Sequence, residues 1–327
     1  MVNKSLIVFG LCLIAIGVTM QARGLAQDST QPAQPALFAP GVISTEDMEL
    51  NAAFAPDGRT VYFTKRTPKA QLWTILVSTL KGSRWSTPRV AEFSGQYADF
   101  DPFVSPDGSQ LFFSSNRPAP GKVKNDFDIW VVKKTAAGWS TAASIGPDIN
   151  TESQEFYPSV ANNGTLYFSS NREGGKGSLD IYRSRLVNGK YSKPENLGDE
   201  INSKYSDGDP YIAPDESFLI FVSYNRPEGL GEGDLYISFN QNGHWTTAKN
   251  LGAPINSSAL EFCPNMSPDG KYFFFTSERG FADHPPLAKP LSYEELMKQI
   301  HNPGNGLGDI YRIDATFIRD LAAKQKD

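Results

Sequence analysis

Five carboxylates recur at one offset in this chain. Glu49, Asp99, Glu155, Asp207 and Glu261 each lie eight residues before the centre of a turn. The turns read Pro56-Asp57-Gly58, Pro106-Asp107-Gly108, Asn162-Asn163-Gly164, Pro214-Asp215-Glu216 and Pro268-Asp269-Gly270. After each turn comes an arginine: Arg66, Arg117, Arg172, Arg226 and Arg279. A further acid follows at Asp128, Asp180, Asp234 and Asp309, with Gln71 in the first unit. Such a set admits three chemistries. Arginine forks pair well with carboxylates, so the charges can form a structural network. A ring of carboxylates can instead hold Ca²⁺ or a ligand's ammonium. Two carboxylates across a glycosidic bond can act as acid and base.

The turn centres are 50, 56, 52 and 54 residues apart, so the positioning elements repeat. Val61-Tyr62-Phe63-Thr64, Leu111–Ser114, Leu166–Ser169, Leu219–Val222 and Tyr272–Phe275 alternate as strands after the turns. Third strands centre on Leu72-Trp73, Ile129-Trp130, Ile181-Tyr182, Leu235-Tyr236 and Ile310-Tyr311. Fourth strands open at Trp85, Trp139, Tyr191 and Trp245. Four antiparallel strands in about 50 residues make a propeller blade. The fold class is therefore all-β, a five-bladed β-propeller over 38–315 with a short C-terminal helix or tail over 316–327. The fifth unit lacks a fourth strand, and 37–44 resembles one. The N-terminal segment is expected to close the ring. All three sets of charges then fall at one mouth.

Units of the form Ser-Pro-Asp-Gly, Leu-Tyr-Phe-Ser-Ser-Asn-Arg and Asp-Ile-Tyr resemble the WD40-like repeat of TolB-type β-propellers. Ser105–Gly108, Leu166–Arg172, Asp180–Tyr182 and Ser267–Gly270 carry the match. The resemblance implies an extracytoplasmic propeller that serves as an interaction platform, and it transfers no catalytic residue.

Lys4, the apolar run 6–18 and the small residues Gly24 and Ala26 form a signal-peptide pattern over 1–26. Residues 27–37 read as a disordered leader. A periplasmic or secreted monomer is expected, with no membrane span after cleavage. Removing Lys4 and Arg23 takes the net charge from −5 to about −7. With no basic stripe, nucleic acid is not an expected partner. Cys263 remains as a lone thiol, read as a buried small residue. His244, His284 and His301 complete no metal set, and no nucleophile elbow or P-loop occurs. No cofactor is expected beyond Ca²⁺ at the carboxylate ring.

The loop 281–308 departs most from the repeat. It holds His284 and a capping box, Ser292 to Glu295, that predicts a short helix. Leu296 and Ile300 lie one turn apart and are expected to dock onto the propeller. Tyr293 from this insert, with Tyr224 and Arg226, is expected at the same mouth. The sequence points to a non-catalytic binding or assembly module for an envelope protein or glycan, with Glu49, Asp99, Glu155, Asp207, Glu261, Tyr224, Arg226, His284 and Tyr293 as contacts. The alternative is a carbohydrate-active enzyme using axial carboxylates.

Overall fold

The computed structural model describes residues 33–69, 72–119, 126–280, 287 and 289–325. The signal-peptide segment, most of the leader, Gln71 and His284 lie outside them. Within this range the chain is a five-bladed propeller. The innermost strands are Met48–Phe54, Asp99–Val104, Glu155–Val160, Ser206–Ile212 and Glu261–Met266. Each pairs with a second strand, and that with a third, in antiparallel order. The outer strand of blades 1, 2 and 4 comes in two short pieces, such as Arg84–Trp85 and Arg89–Val90. In blade 1, Pro88 falls between them, where an edge strand tolerates the missing N–H.

The fifth blade closes as expected. Ala36–Leu37 pairs with Asp309–Asp314, so strand pairing begins at Ala36, one step earlier than the sequence suggests. Phe38 donates its N–H to the Ile310 carbonyl (2.8 Å). Its ring meets Phe274 at 5.0 Å and Trp85 at 5.4 Å, joining the last blade to the first. Burial of aromatic rings between blades supplies the core elsewhere too, for example Tyr167, Phe221 and Tyr236 between blades 3 and 4. Each such side chain contributes about 1.5–3 kcal/mol. Phe38→Ala should cost about 3 kcal/mol, measured as a lower denaturant midpoint with unchanged slope.

Two helices complete the described chain. The capping box forms as predicted and opens α1 (Tyr293–Ile300). Leu296 and Ile300 do not dock. They are 41% and 44% exposed, because α1 is tethered by polar contacts instead. His301 Nδ1 meets Glu46 Oε2 at 2.6 Å, and Asn305 Nδ2 donates to the Glu46 carbonyl at 3.0 Å. The second helix, α2 (Thr316–Ala323), buries Ile318 and sets Phe317 edge-to-face with Phe273 at 5.6 Å. No helix among the described residues is long and apolar enough to cross a membrane.

Candidate functional site on the propeller axis

The five offset-matched acids begin the innermost strands, and their side chains are fully buried. Four are held by their arginines: Asp99–Arg117 at 2.7 Å, Glu155–Arg172 at 3.1 Å, Asp207–Arg226 at 2.7 Å and Glu261–Arg279 at 3.2 Å. Each guanidinium also donates to a strand-two serine (Ser115, Ser170, Ser223 or Ser277) and to a carbonyl of the connection entering its blade. Its flat face rests on two blade aromatics, as Arg172 does on Phe168 and Tyr182 at 5.0 Å each. Thr151 adds N–H and O–H bonds to Glu155, and Ser203 and Ser257 do the same for Asp207 and Glu261. Burial still raises the Glu155 pKa against these opposing bonds.

The first blade breaks the pattern. Strand register puts Lys65, not Arg66, opposite Glu49, at the place of Ser115, Ser170, Ser223 and Ser277. Lys65 Nζ takes Glu49 at 3.0 Å and Asp47 at 2.7 Å. Arg66 falls one position further on, level with Asn116, Asn171, Tyr224 and Glu278. The expected Arg66–Glu49 pair is thus replaced, because this blade reaches its arginine one residue too early.

The strand-three acids serve their own loops. Asp180 accepts from the N–H groups of Lys176 and Gly177 and from Asn196. Asp234 accepts from Leu230, Gly231 and Asn250 in the same way. Asp128 is buried. Asp309 accepts from Gly304 N–H at 2.6 Å, while its other oxygen is buried without a partner. Burial, with the nearby Glu49 charge, pushes Asp309 up to about 7. A folded-state pKa raised above 3.8 stabilises the fold at low pH, and that contribution is lost as pH rises through 7. Melting temperature should therefore fall between about pH 4 and 7 and level off above, and Asp309→Asn should flatten that fall; an unchanged slope would contradict it.

Two residues beyond each ring acid lies a second set that the recurring types do not reveal: Asn51, Asp101, Tyr157, Asp209 and Cys263. All five adopt left-handed backbone, with φ between 48° and 53°. Each sits where the strand register slips by a bulge. A bulge re-aims a side chain, and five in register turn theirs inward. The bulges are tied between blades. Asn51 N donates to Thr276 Oγ1 (3.1 Å), Tyr157 N to Ser114 Oγ (3.2 Å) and Asp209 N to Ser169 Oγ (3.0 Å). Blade 4 has Val222 at the donor-accepting position, so the Cys263 amide turns to Asp209 Oδ2 instead, at 3.2 Å. The Cys263 thiol is 3.7 Å from the same oxygen. Tyr157 crosses the axis and donates its phenol to the Pro264 carbonyl at 2.8 Å.

Asp101 and Asp209 consequently share the axis with no ion pair to either among the described residues. Asp209 lies deep among protein atoms yet keeps some solvent contact, whereas Asp101 is buried. Burial lifts Asp209 to about 6. Burial and the Asp209 charge hold Asp101 well above the usual carboxylate range. Tyr224 borders them, its phenol pushed up by burial and by the charges of Asp209 and Asp101. Phe100 and Phe156, next in sequence to Asp101 and Tyr157, join Trp73 and Phe127 in an aromatic arc, Trp73, Phe100, Phe127 and Phe156 having centroids 4.6, 4.9 and 5.8 Å apart in succession.

Tyr293 stands apart from this set, 78% exposed on α1. His244 and His301 are also exposed, and neither joins the axial groups. Among the described residues no group of three or more His, Cys, Asp and Glu could hold a metal ion. A cavity of about 750 Å³ opens at the opposite mouth between the Pro-Asp-Gly turns and α2, away from the axial carboxylates.

No protein-family model and no curated protein sequence matches the chain. Solved structures do. One described as a complex of BT0996 with RGII overlaps at TM-score 0.55 and 10% identity, over 87% of this chain and 91% of that one. Another, described as a glycoside hydrolase, overlaps at 0.52 and 9% identity, over 86% and 92%. An α-L-arabinofuranosidase from Podospora anserina in complex with cellotriose overlaps at 0.48 and 12%, over 86% and 96%. The chain is a five-bladed β-propeller, and at these identities the likeness is one of fold. The expectation of a non-catalytic module is corrected here. The propellers it overlaps include a glycoside hydrolase, and its own axis holds two carboxylates that make no ion pair among the described residues.

Proposed function

We propose that this protein is a carbohydrate-active enzyme of the glycoside hydrolase kind, working at Asp101 and Asp209. The observation that carries the reading is a pair of carboxylates turned to the axis by their bulges with no ion pair to either among the described residues, both raised by burial and Asp101 further by the Asp209 charge. Glycoside hydrolysis needs one carboxyl protonated and one ionised near neutral pH. Asp101 would give its proton to the leaving glycosidic oxygen as the C–O bond breaks. Asp209 would take a proton from the water that adds to the anomeric carbon, or attack that carbon directly. Trp73, Phe127 and Phe156 of the aromatic arc are half-buried and would offer apolar surface to the C–H face of a sugar ring.

The repeat itself supports a TolB-type, WD40-like lineage, on Ser105–Gly108 and Leu166–Arg172. With the signal-peptide pattern, it supports action in the periplasm or outside the cell, on an envelope or extracellular glycan, by a monomer. The test is a panel of aryl glycosides and plant and envelope polysaccharides, read by released reducing ends. Turnover that is lost in both Asp101→Asn and Asp209→Asn would support the reading. No turnover on the panel, or turnover retained in both variants, would overturn it.

A further inference from the structure

Arg66 is the one arginine of the five that its blade does not spend on a ring acid. Lys65 neutralises Glu49, and no carboxylate lies within ion-pair distance of Arg66 among the described residues. Its guanidinium stacks on Trp73 at 4.8 Å, and its Nε donates to Met48 Sδ at 2.6 Å. Those contacts fix the plane of the fork and, among the described residues, leave both terminal nitrogens without an acceptor. Arg66 shares its register with Tyr224, which borders the axial carboxylates, and with Glu278. Its charge reaches Asp101 on one side and Glu278 on the other. Trp73, beneath it, is the first ring of the aromatic arc.

We propose that Arg66 is a specificity residue that selects sugars carrying a carboxylate, so that the substrate is a uronic-acid-containing glycan. The inference rests on the axial site being a sugar site. A guanidinium fork fits a planar carboxylate by two parallel N–H bonds. A sugar stacked on the arc would place a ring substituent beside that fork. Glu278 and Asp209 disfavour additional negative charge, which suits one carboxylate per bound residue rather than a polyanion.

The experiment measures binding to the hydrolysis-impaired Asp209→Asn protein by titration calorimetry. The probes are otherwise neutral oligosaccharides carrying a single galacturonate or a single glucuronate, each beside its methyl ester, which removes the charge. At least one acid should bind about tenfold tighter than its ester. Arg66→Gln should erase that difference and Arg66→Lys should restore part of it, all three proteins melting alike. Equal binding of acid and ester, no binding of either pair, or a preference that survives Arg66→Gln would overturn the proposal. Acid-selective, Arg66-dependent binding by a protein that hydrolyses nothing would sink the hydrolase reading alone. Turnover of neutral glycosides without charge preference would sink this inference alone.

Discussion

Asp209→Asn should lower turnover by a factor of about 10²–10⁴, the range for loss of a general acid or base. The substitution keeps the side chain's shape and its acceptor for the Cys263 amide, so the fold should be unaffected. The pH profile should identify the group more sharply than the loss itself. Asp209 must be ionised to take a proton, and burial raises it to about 6. Activity should therefore fall as pH drops through about 6. An unperturbed carboxylate would place that limb near 4. Asp101 must stay protonated, and the Asp209 charge helps it to do so. In Asp209→Asn that charge is gone, so Asp101 should titrate lower, and any residual activity should decline at lower pH than in the wild type. The two limbs belong to the pair, since each carboxyl alters the other. A profile that is flat from pH 5 to 7 would exclude Asp209 as the base.

The contrast between the two carboxylate sets shows what was legible in the sequence. Glu49, Asp99, Glu155, Asp207 and Glu261 stood out because they repeat, and a residue type that repeats once per blade serves the blade. The turns, strand order and closure by the N-terminal strand were legible for the same reason. Asn51, Asp101, Tyr157, Asp209 and Cys263 share an offset as strict, yet no residue type. Recurrence of type therefore cannot expose them. Their signal was a constant position with variable chemistry, followed in four blades by proline: Pro102, Pro158, Pro210 and Pro264. What the sequence did not disclose was the bulge. In regular strand, alternation would put Asp101 on the same face as Asp99. Only the left-handed residue turns it to the axis. The displaced Arg66 was hidden similarly. Spacing from the acid varies between blades, so the one-residue shift shows only in strand register. The unusual length of loop 281–308 drew attention to α1, which the structure leaves at the periphery.

Breaking one pair of the ring network should cost more stability than truncating a core aromatic such as Phe38. Arg172→Ala should destabilise the protein by about 3–5 kcal/mol, because it abandons a buried charge rather than removing a pair. Glu155 has no solvent contact, so water cannot replace the lost guanidinium. Arg172 also bonds the Ile149 carbonyl at 2.7 Å and Ser170 Oγ at 3.1 Å; its removal strands the carbonyl, while Ser170 keeps its bond to Glu155. The cation–π contacts to Phe168 and Tyr182 are lost with it. For a domain of this size the change corresponds to a melting temperature lower by roughly 5–10 °C. Glu155 would then respond by taking a proton. Its pKa, already raised by burial, should rise further without the arginine, making the variant's deficit smallest in acid and largest above neutrality. Arg172→Lys should recover only part of the loss, since an ammonium cannot reach carboxylate, serine and carbonyl in one plane. Adding Glu155→Gln to Arg172→Ala should restore stability at pH 8 by removing the stranded charge. Melts of the four proteins at pH 5 and pH 8 test the account. A pH-independent deficit, or a double variant no better than Arg172→Ala at pH 8, would show that packing rather than charge holds the ring.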